Sequence, residues 1–69
     1  MSICQGKNSW PELVGTLGPD AVKVIEEENS SVTAVIVFFN QPIIGPFLCS
    51  RVRVIVNYRF IVVAVPTVG

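Results

Sequence analysis

Arg51-Val52-Arg53-Val54-Ile55-Val56 alternates residue by residue, its valines on one side and its arginines on the other. Successive side chains of a β-strand point to opposite faces, so this stretch predicts a strand with one buried and one water-facing side. Upstream, Val32 to Phe39 (VTAVIVFF) is a second strand by composition. It is apolar on both faces, which suits a central or doubly covered position. Downstream, Asn57-Tyr58-Arg59 reads as a turn. Ile61 to Val65 follows as a third strand folded back on 51–56 as a hairpin and ended by Pro66. Toward the N-terminus, Pro19-Asp20 opens a helix, with proline in the first turn and an acid on the positive dipole end. Ala21, Val22, Val24 and Ile25 give that helix one buried stripe. Glu26, Glu27 and Glu28 sit at its C-terminal end, where the dipole disfavours acids, and predict fraying there. Ser9-Trp10-Pro11-Glu12 carries the capping-box pattern of Ser followed three residues later by Glu. It predicts a short helical turn that seats Trp10 and Leu13 against the core. The fold class is α+β, one helix packed on a small β-sheet, with a long loop projecting from it.

Sixty-nine residues make a single domain, 1–69, too small to be comfortably stable on its core alone. Apolar residues are 51% of the chain and charged residues 14%, which excludes a disordered segment. Valine and isoleucine fill 20 positions, and β-branched residues favour strands. Histidine is absent, which removes Ser-His-Asp and Cys-His catalysis and histidine metal sites together. No glycine-rich phosphate loop, CxxC pair or nucleophile with a base is found, so the chain does not read as an enzyme and no cofactor or metal is implied. Three consecutive carboxylates at 26–28 diverge around a helix and do not converge on one cation. Net charge is zero, which argues against nucleic acid, and the longest apolar run, Ala34 to Phe39, is too short to cross a membrane.

All five acids precede residue 29, whereas Arg51, Arg53 and Arg59 follow it with no acidic side chain in their half of the chain. Their partners must be backbone carbonyls, the C-terminal carboxylate, solvent, or acids folded back from the first half. The start, Met1-Ser2-Ile3-Cys4-Gln5, lacks a basic head and an apolar stretch, so it is not a signal peptide. The chain is then a mature secreted or vacuolar form, or otherwise cytosolic. Asn29-Ser30-Ser31 matches the glycosylation sequon, a match with little weight without a secretory signal. Cys4 and Cys49 are two thiols in a reducing compartment or one bridge in an oxidising one. The segment Asn40 to Ser50 holds Pro42, Gly45 and Pro46 and cannot be regular structure, yet it carries Ile43, Ile44, Phe47 and Leu48. An apolar segment fixed at both ends loses little entropy on docking, so it suits a binding loop; the alternative is that it packs its own side chains inward, or aggregates.

Three stretches then become familiar. They are Cys4-Gln5-Gly6-Lys7-Asn8-Ser9-Trp10-Pro11-Glu12-Leu13-Val14-Gly15, Cys49-Ser50-Arg51-Val52-Arg53-Val54-Ile55-Val56-Asn57 and Pro66-Thr67-Val68-Gly69. On them the chain resembles the potato inhibitor I family of serine-protease inhibitors along essentially its full length. It looks most like the single-disulfide trypsin-inhibitor type of cucurbit seeds. The resemblance implies a Cys4–Cys49 bridge, a mixed sheet under one helix, serine proteases as partners and a role in plant defence. It also implies that Pro42, Ile43, Ile44, Gly45, Pro46, Phe47 and Leu48 form the protease-binding loop, with Gly45–Pro46 as the reactive bond. Arg51 and Arg53 match the positions that brace such a loop from beneath, where the carboxylate of Gly69 meets them.

The loop departs from the family pattern. Threonine is usual where Ile44 stands and an acid where Pro46 stands, so two side-chain acceptors for the arginines are missing. Glycine offers no side chain to a specificity pocket, and proline pushes Gly45 toward extended backbone. The expectation is an inhibitor with a weakened loop. Subtilisin-, chymotrypsin- or elastase-like proteases suit it better than trypsin. Phe38, Phe39 and Phe60 replace polar or glycine residues of the family and add apolar surface. A non-inhibitory homo-oligomer is therefore the alternative.

Overall fold

The computed structural model describes residues 4–69, so Met1-Ser2-Ile3, which bear on the signal-peptide reading, lie outside the described residues. Pro11–Leu13 form a single 3-10 turn, with Trp10 fully buried and Leu13 nearly so. Ser9 does not cap it, since no side chain caps this turn. Ser9 instead bridges to Thr67, and Glu12 takes the ammonium of Lys7. Helix α1 spans Gly18–Glu28 with Pro19 in its first turn. It buries Ala21 and Ile25, one turn apart, and sets Val22 and Val24 at the edge of the core.

The expected fraying at the C-terminal end of α1 is not what the structure holds. Asn29 N–H donates to Ile25 O at 2.9 Å and closes the last turn. Glu28 accepts the indole N–H of the buried Trp10 at 2.9 Å and the Lys7 ammonium, also at 2.9 Å. Glu26 accepts Ala34 N–H at 2.9 Å. Each of these acids gains a specific donor that outweighs the weak dipole penalty at a helix end. Asn29 is itself buried: its amide donates to Gln5 O and Lys7 O, both at 3.0 Å, and accepts Ser31 N–H. It pins the N-terminal segment to the helix, and its amide leaves no room for a sugar at the sequon.

The sheet holds β1 (Thr33–Phe38), β2 (Arg51–Val56) and β3 (Thr67–Val68) in that order. It is mixed. β1 runs parallel to β2, with Ala34 opposite Val52 and Ile36 opposite Val54, while β3 runs antiparallel. The alternation read in 51–56 is observed, with Val52, Val54 and Val56 fully buried beneath α1 and Trp10. β1 is an edge strand, contrary to the central or doubly covered position expected of it; Val35 and Ile36 stay exposed. The third strand also differs. Segment 61–65 contributes only isolated bridges, because Ile61 and Val62 divide their bonds. Ile61 bridges Leu17 while its carbonyl accepts Asn57 N–H, and Val62 pairs with Val56 and with Thr16. The regular pairing passes instead to Thr67–Val68.

Parallel neighbours cannot be joined by a tight turn and need a crossover of a dozen residues or more. Here that crossover is the loop from Phe39 to Ser50, which contains no helix. The parallel register therefore dictates a long connection arching across one end of the sheet, and this places the candidate site.

Candidate protease-facing loop

Residues 41–50 are all exposed. The inward-packing alternative is therefore absent: Ile44 is 78% exposed and Phe47 60%. Cys49 closes the far end of the loop through its bond to Cys4, with the two Cα atoms 5.2 Å apart. The near end is folded by Gln41, whose side-chain oxygen accepts Phe38 N–H at 2.9 Å. Nothing in the composition of the loop singled Gln41 out. Its signal is positional, three residues beyond a strand-end donor that faces away from β2.

Arg51 and Arg53 rise from β2 on the face opposite the core, as alternation requires, and both reach the loop. Arg53 Nη2 donates to Ile44 O at 3.0 Å, and Arg51 Nη2 donates to Pro46 O at 2.6 Å. Arg51 Nε donates to the main-chain oxygen of Gly69 at 2.9 Å. Ile44 and Pro46 supply no side-chain acceptor, but the carbonyls of those same two residues accept in their place. Of the partners open to these arginines, the backbone carbonyls of Ile44 and Pro46 and the C-terminal oxygen of Gly69 are the ones used. Hydrogen bonds from a charged donor are roughly twice as strong as neutral ones, so the peptide groups on either side of Gly45 are held from below.

Gly45 lies between these tethers with φ +115°. That φ is positive, not the negative value of the extended backbone expected ahead of Pro46, and residues with a side chain rarely adopt it. With both flanking carbonyls held, the bend falls on the residue that has no Cβ. Space is not the obstacle to a side chain here: a Cβ on Gly45 would sit 3.8 Å from both Arg51 Nη1 and Arg53 Nη2. Conformation is. Phe47 turns back toward Gly69, and Ile43, Ile44 and Leu48 face solvent. The structure thus brings residues 42–48, Arg51, Arg53, Gly69 and the Cys4–Cys49 bridge into one assembly. Among the described residues no cluster of metal-ligating side chains is found.

The "Glu S.griseus protease inhibitor" of Momordica charantia is 53% identical to this chain over 68 residues, covering 99% of the chain and all of the relative. The "Inhibitor of trypsin and hageman factor" of Cucurbita maxima is 47% identical with the same coverage. The crystal structure of bitter gourd trypsin inhibitor superposes with a TM-score of 0.93 at 51% identity, over 99% of this chain and 100% of that one. The family model described as the Potato inhibitor I family matches residues 3–69. With that match and these relatives, the chain belongs to the potato inhibitor I family.

Proposed function

We propose that this protein inhibits serine endopeptidases by presenting residues 42–48 to the protease cleft as a substrate-like segment. Gly45 fills the specificity position and Gly45–Pro46 is the reactive bond. The observation that carries this reading is the pair of guanidiniums holding Ile44 O and Pro46 O from beneath while the loop side chains face solvent. A braced loop binds without a large ordering cost, and it keeps a cleaved bond in register for resealing.

The same geometry weakens the inhibitor. An extended substrate needs a negative φ at the specificity position, so Gly45 must leave φ +115° on docking, and the two arginine tethers resist that movement. Once docked, glycine leaves the specificity pocket unfilled, and no cation reaches an acid at its base. Proteases that draw binding from several subsites suit Ile43, Ile44 and Phe47 better than trypsin does, so subtilisin-, chymotrypsin- and elastase-like enzymes are the partners. The test titrates each of the four protease types with the oxidised protein and follows the Gly45–Pro46 bond by mass spectrometry. Saturable inhibition of subtilisin, chymotrypsin or elastase, with trypsin unaffected, is expected. No inhibition of any of the four, with the chain left intact, would overturn the proposal.

A further inference from the structure

The sheet has two unlike faces. One carries the core. On the other, Val35 and Val37 of β1 lie beside Arg51 and Arg53 of β2, since the parallel register pairs Thr33 with Arg51 and Val35 with Arg53. No helix covers this second face. The loop passes over part of it, leaving an open cleft of about 580 Å³ between the sheet and Ile43 and Ile44. That volume falls within the roughly 300–1,000 Å³ of small-molecule sites, and the make-up matches too: mostly apolar walls with a few fixed polar groups.

The polar groups are the Gln41 amide, whose oxygen already accepts Phe38 N–H, and two guanidiniums with donors to spare. Each guanidinium carries about five N–H groups. Arg53 commits one of them to Ile44 O, and Arg51 commits two, to Pro46 O and Gly69 O. Among the described residues, neither pairs with a carboxylate side chain. Glu12 and Glu28 engage Lys7, and Glu26 engages Ala34 N–H, all elsewhere on the molecule. Arg51 Nη1 and Arg53 Nη2 each lie 3.8 Å from where a Cβ on Gly45 would stand, so the two guanidiniums are neighbours beneath the loop, and both line the cleft. A carboxylate has the charge and the paired acceptors that two neighbouring guanidiniums recognise. Val35, Val37 and Ile43 call for an apolar tail on the same molecule.

We propose that this cleft binds an organic monocarboxylate, its carboxylate bridging Arg51 and Arg53 and its aliphatic tail lying along Val35, Val37 and Ile43. This site lies beneath the loop against the open face of the sheet, and of the loop 42–48 its occupant uses only the side chain of Ile43. The test is an NMR titration of the oxidised protein with sodium octanoate, kept below micelle formation and at fixed ionic strength. Octanol and sulfate serve as the tail-only and charge-only arms. Saturable shifts at the Val35 and Val37 methyls and at the Arg53 Nε–H are expected, with octanol and sulfate each at least about tenfold weaker. Arg53→Gln should weaken octanoate binding about tenfold, as expected for loss of charge-assisted hydrogen bonds. Val37→Thr, which nearly preserves shape and leaves the loop tethers alone, should weaken octanoate several-fold without changing the response to sulfate. Three results would overturn the proposal: no saturation by octanoate, equal binding of octanol or sulfate, or shifts confined to Phe39, Tyr58 and Phe60. Unchanged octanoate affinity in Val37→Thr would do the same even if Arg53→Gln failed to fold.

Discussion

Phe60 holds a backbone that suits glycine. Its φ is +62°, the one positive value at a non-glycine residue among those described. Its carbonyl accepts Gly18 N–H at 2.7 Å, and its own N–H donates to Asn57 O, so the turn cannot relax without breaking the entry to α1. The ring finds company in Phe38, with centroids 5.3 Å apart, and Phe39 similarly meets Tyr58 at 5.2 Å. Phe38 and Phe60 therefore pack on each other and Phe39 on Tyr58, with Phe39 and Phe60 both still about half exposed. Alanine ordinarily exceeds glycine in stability; at this site the order should reverse. Phe60→Gly is expected to be more stable than Phe60→Ala by about 1 kcal/mol, because both lose the ring but only alanine keeps the left-handed penalty. Urea denaturation of the two variants decides this, and the usual order would show that the turn rearranges. Gly45 carries the same lesson. A glycine before proline was legible as an unusual specificity residue, but its positive φ was not, because that bend depends on carbonyl tethers from arginines distant in sequence.

Among the elements, β2 was the most legible and β1 the least. Strict alternation in 51–56 reports its own two faces, whereas the all-apolar 34–38 is compatible with either a central or an edge position. What makes β1 acceptable as an edge is its capping. Thr33 N–H pairs with Ser50 O, so Ala34 and Phe38 direct their N–H groups outward, where Glu26 and Gln41 accept them. The run of glutamates is explained in the same way, by partners from other elements that no local dipole argument contains. Those partners give a pH dependence. The Lys7 ammonium first, and for Glu28 also the Trp10 indole, holds the carboxyls of Glu12 and Glu28 below the usual carboxylate range. A carboxyl depressed in the folded state adds stability above its unfolded value and loses it as pH falls through the folded one. Stability should therefore begin to decline at about pH 5.5, where unfolded glutamate starts to protonate, and fall further as pH drops through the depressed folded values. Glu28→Gln should flatten that decline, measured as Tm against pH; an identical slope would show that Glu28 takes no part. Lys7 is raised by the same contacts, so its contribution is complete below its ordinary value and fades only at more alkaline pH.

For the molecule as a whole, a small core is supplemented by one covalent tie. Cys4 and Cys49 are separated by 45 positions, and closing a loop of that length contributes about 4 kcal/mol in the chain-entropy model. Cys4→Ser/Cys49→Ser should lose roughly that much in urea denaturation, with the loop end freed at the same time. A loss below about 1 kcal/mol would show that the N-terminal segment is held instead by Asn29 and Trp10. The overall α+β layout followed from local pattern, but the parallel pairing that forces the crossover loop to exist did not, since strand direction depends on contacts between distant segments. In the proposed function, residues 42–48 face the protease with Gly45 in the specificity position, on a competent scaffold whose loop chemistry is poor. The most direct measurement is trypsin inhibition by Ile44→Thr/Gly45→Lys/Pro46→Asp beside the unaltered protein. The triple change restores side-chain acceptors for Arg51 and Arg53, returns residue 45 to negative φ, and supplies a cation for the pocket. No useful inhibition by the unaltered protein and tight, saturable inhibition by the variant are expected; a folded variant that leaves trypsin fully active would show that residues 42–48 do not present residue 45 to the specificity pocket.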